Sequence, residues 1–280
     1  FIRLSSDAAT SAERLGTAIA NLPAHLAAYF IGTVYTTALP ELYRASNGIF
    51  YTPPGVVERL LVMAEEAGVN WETCRVLDPA CGGGAFLLPI ARRMITALRG
   101  TNPAFILQQL GARLRGFDLD PFGVWLAQAM LDLVLEDLAR EAGRPMPKMV
   151  EMRDSLDLKP ADHGVHDLVI GNPPYGRVSP SAERRAVFKR SIYGHANLYG
   201  LFTDAALRWA KKGGVIGYVT PTSMLSGLYY KELRGFRRTS RPSGTQSRAR
   251  IHAGGRHAGG LAALPAGAVT QTNHRDRTRP

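Results

Sequence analysis

The chain has 280 residues, 45% of them hydrophobic and 20% charged, which is long enough for one large α/β core and ordinary in composition for a soluble globular protein. Its net charge of +11 does not by itself point to nucleic acid, because residues 235 to 280 hold nine Arg, no Lys and one acidic residue, Asp276, a balance of +8 that leaves +3 for the rest. Cys74 and Cys81 are the only cysteines, and they share no ligand spacing with the seven His, which argues against a zinc site or disulfide framework and fits a reducing cytoplasm.

Residues 1 to 48 read as a helical N-terminal arm: two or three Ala-rich helices with Pro23 and Pro40 as punctuation. The chain opens on Phe1 rather than Met, consistent with a fragment of a longer protein. From Leu15 to Pro40 there is no Asp, Glu, Lys or Arg, yet Pro23, His25 and several Thr and Asn interrupt the run. No clean apolar span of about 20 residues results, so a membrane segment is not expected.

Residues 49 to 234 read as a catalytic domain of alternating strands and helices. Tyr51-Thr52-Pro53-Pro54 leads into a helix from Gly55 to Ala67, with Thr52 expected to cap it. A strand at Cys74 to Leu77 then meets Asp78-Pro79-Ala80-Cys81-Gly82-Gly83-Gly84-Ala85-Phe86-Leu87 and a helix from Ala85 to Leu98. Three glycines at a strand-to-helix turn let a ligand approach the backbone. The loop is neither the dinucleotide fingerprint, since Leu87 stands where the third glycine belongs, nor a Walker loop, since the lysine is missing. The next strand, Ala112 to Phe117, ends at Asp118, an acid placed where α/β folds grip ribose hydroxyls, and is followed by a helix from Phe122 to Ala142. The long gap before Asp118 predicts an extra short helix around Pro103 to Leu110. A third strand, Lys148 to Met152, leads to Asp154.

The fourth strand, Asp167 to Gly171, runs into Asn172-Pro173-Pro174-Tyr175, a stiff polar turn with an amide, a fixed carbonyl and a flat ring. A loop with Arg177, Arg184, Arg185, Lys189 and Arg190 follows, then a helix from Leu198 to Lys211 with Gly213-Gly214 as its expected cap, and a fifth strand from Val215 to Val219. Special residues gathered at the carboxyl ends of alternating strands predict a mostly parallel sheet with the site along that edge. Residues 235 to 280 lose all periodicity and read as an irregular Arg-rich tail, disordered or non-native.

Tyr-Thr-Pro, the glycine-rich string and Asn-Pro-Pro-Tyr in this order resemble the gamma class of adenine-N6 DNA methyltransferases, from restriction-modification and related phage-defence systems. The match runs from about Tyr51 to Leu233, and Gly83 stands where the commonest family form has Ser. The resemblance implies the Rossmann-like class I methyltransferase fold, S-adenosylmethionine as cofactor and a flipped adenine in double-stranded DNA as target. It places Tyr51, Thr52 and Pro53 in the cofactor site, with Thr52 on the methionine portion and Asp78 near the amino group. Ala80, Cys81, Gly82 and Gly84 would run under the ligand with Phe86 beside them. Asp118 would hold the ribose and Asp154 the cofactor adenine, with Phe202 in that adenine's pocket. Asn172, Pro173, Pro174 and Tyr175 would form the catalytic turn.

Physical chemistry supports that turn. Adenine's exocyclic nitrogen is a poor nucleophile because its lone pair is delocalised. Two acceptors on its N–H groups, the Asn172 side-chain oxygen and the Pro173 carbonyl, would favour a pyramidal nitrogen and stabilise the developing positive charge. Tyr175 would stack on the base. The family's closing hairpin and target-recognition domain are not recognisable after Leu233, which implies a truncated and inactive catalytic domain, with a specificity or restriction subunit as a further partner. Two alternatives stand beside this reading. A protein-glutamine or RNA methyltransferase could use the same turn, and a non-catalytic subunit could bind nucleic acid through the Arg-rich tail.

Overall fold

A computed structural model describes residues 5–41, 52–192 and 195–220, and the backbone of 260–265. Two helices open it, α1 (Ser6–Ala20) and α2 (Ala24–Ala38). Ser5 caps the first by accepting from the Ala8 N–H, and Pro23 starts the second. The catalytic region follows with α3 (Pro54–Glu66), β1 (Val76–Asp78), α4 (Leu87–Ala97), α5 (Pro103–Arg113), β2 (Leu114–Asp118), α6 (Pro121–Ala142), β3 (Val150–Met152) and β4 (His166–Gly171). A two-stranded ribbon of β5 (Arg177–Val178) and β6 (Ala196–Asn197) brackets the short α7 (Ala182–Val187), before α8 (Leu198–Trp209), β7 (Ala210–Thr220) and β8 (Gly260–Pro265).

The main sheet has the order β3-β2-β1-β4-β7-β8. Its first five strands are parallel, with helices in every crossover except β3 to β4, which is a loop with one 3-10 turn, and β8 runs antiparallel to β7. This is the mostly parallel α/β sheet that the alternation of elements predicts, in the Rossmann-like class I methyltransferase arrangement that the resemblance implies. Successive strand residues point to opposite faces, and the core divides accordingly. Val76, Leu168, Ile170 and Val215 pack against α3 to α6, while Leu77, Val169 and Ile216 pack against α8. On α3, Val57, Leu60, Leu61 and Ala64 recur at helical spacing and are buried. Each of the larger three contributes about 1.5–3 kcal/mol of burial, and together they clamp the start of α3 to the sheet edge that carries the site. Among the described residues, no helix is long and apolar enough to cross a membrane.

Three local expectations change. Thr52 does not cap α3: Pro53 holds the cap position without a side-chain bond, and the proline-set backbone already fixes the helix start. Gly213-Gly214 is not a helix cap, because α8 ends at Trp209 and the chain is extended from Ala210 onward. Gly214 instead serves close strand approach, since a side-chain carbon there would lie 2.9 Å from the His166 carbonyl oxygen where the β4–β7 register shifts, while Gly213 takes a left-handed φ of 81°. Finally, the tail is not uniformly irregular. The exposed edge of β7 offers unpaired backbone groups, and the apolar run from Gly260 to Pro265 pairs with Val215 to Thr220. A predicted helix through Tyr229 to Leu233 lies outside the described residues.

Candidate active site

Asp78 closes β1 and is 1% exposed. Its Oδ1 accepts from the Ala80 N–H at 3.1 Å, and its Oδ2 has no hydrogen-bond partner among the described residues. Burial pushes this carboxyl well above its ordinary pKa, against the Ala80 bond, and the charge of Asp118 adds to the rise. Room for it comes from the neighbouring strand, where a side-chain carbon at Gly171 would sit 2.6 Å from Asp78 Oδ1. The loop beyond then turns through Gly82, at φ 49°, and Gly84, at φ 87°, a region favourable only to glycine.

Asp118 holds this loop in place. Its Oδ2 accepts from the Gly82 N–H at 2.8 Å and its Oδ1 from the Asp120 N–H at 2.9 Å. The Cys81 N–H reaches the Phe117 carbonyl at 3.0 Å. Burial raises the pKa of Asp118 despite those two amide bonds. Asp120 then caps α6, accepting from the N–H groups of Phe122 and Gly123, both at 3.2 Å. The Tyr35 hydroxyl donates to the same carboxylate, and its ring stacks on Phe122 with centroids 4.1 Å apart. The helical arm is thereby fastened to the turn that carries Asp118. Between the two acids, Leu119 is 66% exposed, an apolar surface next in the chain to Asp118.

Asp154 follows β3, and its carboxylate is already engaged. Its Oδ1 accepts from the Leu156 N–H at 2.9 Å, and its Oδ2 pairs with Arg184 of α7 at 2.8 Å, a guanidinium that also bridges Asp157. Each oxygen keeps a second lone pair. Nearby, the buried Ser155 hydroxyl donates to the Pro79 carbonyl at 2.6 Å and ties this loop to the glycine-rich one. Phe202 is buried in the cluster with Leu77 and Phe117.

Asn172 to Tyr175 leave β4 beside this loop. The Tyr175 hydroxyl lies 2.8 Å from Asn172 Oδ1 and 3.0 Å from the Val219 carbonyl at the end of β7. Its ring meets Tyr199 edge-on, centroids 6.4 Å apart, and burial pushes the phenol up to about 12. Past the turn, the Leu198 N–H bonds the Gly176 carbonyl at 2.9 Å and Asn197 caps α8, so the turn is anchored at both ends.

One solvent-open pocket is lined by Thr52, Ala80, Cys81, Gly82, Gly83, Ala85, Phe86 and Asn172. Residues from α3's start, the β1 loop and the β4 turn thus converge, although 120 positions separate Thr52 from Asn172. Gly83 falls within the Ala80 to Gly84 backbone expected under the ligand, and Ala85 joins it without having been singled out; its place inside the ten-residue string was the available signal. Asp78, Pro173, Pro174 and Tyr175 do not line the pocket, although Asp78 accepts from the N–H of Ala80, which does. Pro53, Gly84, Asp118, Asp154 and Phe202 do not line it, and Tyr51 lies outside the described residues. The Cys81 thiol is buried and its pKa is raised well above the ordinary value by that burial, which makes it a wall rather than a nucleophile.

Residues 116–242 match the family described as Eco57I restriction-modification methylase. Type II methyltransferase M.PaeR7I of Pseudomonas aeruginosa is 30% identical over 68% of this chain and 34% of its own length. M.TthHB8I of Thermus thermophilus is 28% identical over 70% of this chain and 40% of its own. The chain therefore spans about two fifths or less of these relatives. Among solved structures, the ATP-dependent Type ISP restriction-modification enzyme LlaBIII bound to DNA superposes with a TM-score of 0.59 at 17% identity, over 75% of this chain and 17% of that one. A Listeria monocytogenes protein assigned as a class I S-adenosylmethionine-dependent methyltransferase gives 0.55 at 17% identity, over 92% of this chain and 73% of that one.

Proposed function

From the premise that this chain carries a methylase domain of the Eco57I restriction-modification type, we propose that it methylates the N6 amine of adenine in double-stranded DNA, using S-adenosylmethionine. The observation that carries this reading is that Asn172 and the glycine-rich loop line one pocket, so an amine-gripping turn and a cofactor cradle share a boundary.

The residues present fit the cofactor. The Oδ2 of buried Asp78, without a partner among the described residues, is an acceptor suited to a cationic amino group, which would also restore the carboxylate's ordinary ionisation. Gly82 and Gly83 bring bare backbone to the pocket wall, Thr52 adds a hydroxyl, and Asp118 retains lone pairs for a vicinal diol. Leu119 offers an apolar edge for a flat ring. When bound, S-adenosylmethionine supplies an electrophilic methyl group.

The chain's own residues do the rest. The base is flipped from the duplex, since its amine is unreachable within the stack. Asn172 and the Pro173 carbonyl accept the two N–H bonds, and proline's fixed backbone needs little reorganisation to do so. Holding the nitrogen in line with the methyl group is an orientation effect worth several kcal/mol, of the order of 7 or more when alignment is good. Tyr175 stacks on the base for about 1–3 kcal/mol. No strong general base is required, because the amine can lose its proton after transfer. A specificity or restriction subunit and a cytoplasmic setting complete the proposal.

The test is incubation with radiolabelled S-adenosylmethionine and unmethylated DNA, followed by digestion to nucleosides. Label in N6-methyladenine, strongly reduced by Asn172→Ala, is the expected result. Label in N4-methylcytosine, RNA or a release-factor glutamine would replace the adenine reading with one of its rivals.

A further inference from the structure

The catalytic turn contains one proton for which two oxygens compete. The Tyr175 hydroxyl is within hydrogen-bond distance of both Asn172 Oδ1, at 2.8 Å, and the Val219 carbonyl oxygen, at 3.0 Å. A phenol has a single proton to donate, although its oxygen can also accept. Burial holds that proton in place. The Val219 carbonyl can only accept, so it has the stronger claim.

The Asn172 amide can present either polarity. Its oxygen and nitrogen ends are nearly the same shape, and which one faces a neighbour is set by the hydrogen bonds available. Among the described residues, the bond to Tyr175 is the one hydrogen bond that involves this amide. A half-turn of the amide therefore breaks nothing else and lets both acceptors be served. The hydroxyl then donates to Val219 and accepts from Nδ2, and the end left for the pocket that Asn172 lines is Oδ1. The opposite orientation leaves an NH2 donor facing an amine, like against like.

We propose that the Tyr175 hydroxyl is a positioning group: bound to the Val219 carbonyl at the end of β7, it accepts from Asn172 Nδ2 and so turns Oδ1 toward the substrate amine. The inference rests on reading the turn as an amine-binding site. It gives Tyr175 two separable parts, a ring that stacks and a hydroxyl that sets the polarity of its neighbour. It also makes β7, a strand without a residue in the pocket, part of the active site's construction.

The test uses the full chain. With 15N-labelled asparagine, a strong Overhauser contact is expected between the Asn172 Nδ2 protons and the ring protons beside the Tyr175 hydroxyl. Tyr175→Phe, which keeps the ring, should lower kcat about tenfold, equivalent to about 1.4 kcal/mol, with KM for S-adenosylmethionine unchanged. In an Asn172→Ala background the same substitution should cost nothing further, since the hydroxyl acts through that amide. The proposal is overturned if the Overhauser contact is absent, if Tyr175→Phe turns over at the wild-type rate, or if the two losses simply add. Methyl transfer by the wild-type chain to an acceptor other than adenine overturns the adenine reading instead, and in a chain made inactive by truncation the Overhauser contact alone decides which way the amide faces.

Discussion

The loop after β1 and the turn after β4 leave neighbouring strands and meet in one pocket, yet they are made rigid by different means. Asn172-Pro173-Pro174-Tyr175 carries much of its stiffness in its own covalent structure, since two prolines fix two φ angles. The loop from Asp78 to Phe86 has three glycines and little rigidity of its own. Its position comes from outside: Asp118 holds the Gly82 N–H, the Phe117 carbonyl holds the Cys81 N–H, and Ser155 holds the Pro79 carbonyl. A catalytic acceptor benefits from being preset, whereas a cofactor cradle must leave backbone bare and can borrow its order from a neighbouring strand.

That contrast predicts separable defects. The largest belongs to Asn172→Ala, which should reduce methyl transfer by about 100-fold or more, as loss of a preset polar group at a developing charge commonly does. Cofactor affinity measured by calorimetry should stay near the wild-type value. If it falls in step with the rate, the turn and the loop are one functional unit and the contrast fails.

Asp118→Asn should do the opposite. An amide has one acceptor oxygen for the two N–H groups that the carboxylate now serves, so one buried donor loses its partner at about 1–3 kcal/mol. Cofactor affinity should drop about tenfold or more, and kcat at saturating cofactor should change little. A variant that binds cofactor normally would show that the loop does not depend on β2 for its place.

A smaller and two-signed effect is expected from Asp78→Asn. Folding raises this carboxyl's pKa from its ordinary 3.8, so above that value the folded state keeps a proton that the unfolded chain has released. Its contribution to stability therefore declines as pH rises from 3.8 toward the raised value. The substitution should flatten that decline and stabilise the ligand-free protein near neutral pH by about 1 kcal/mol, while weakening cofactor binding. Thermal melts across pH with and without S-adenosylmethionine would reveal both signs. Stabilisation without loss of binding would remove Asp78 from the cofactor site.

Much of the site was legible because its pieces are short strings whose chemistry is local. A glycine-rich turn, an acid closing a strand and an Asn-Pro-Pro-Tyr turn can each be read within ten residues. Pro103 marked a helix start in the same way, and the helix read as ending at Ala142 does end there, before Gly143 with its left-handed φ of 59°. Reading failed where one element serves another. Gly213-Gly214 looked like a helix cap because the approach of the His166 carbonyl cannot be seen from the neighbouring residues. The pairing of Asp154 could not be read either, because Arg184, 30 positions later, gives no sign of its destination.

The sequence by itself determined the fold class, the order of strand ends and the residue types gathered along one edge of the sheet. Hydrophobic periodicity and turn chemistry act over a few residues, and a parallel sheet puts every strand's carboxyl end on the same side. Only the tertiary structure decided how the polar groups are spent. Asp118 steadies the loop, Asp78 keeps one oxygen unclaimed, and the Tyr175 hydroxyl reaches Val219, 44 residues away. A hydrogen bond is satisfied by whichever partner the packing brings within about 3 Å, and that choice is made across the fold rather than along the chain.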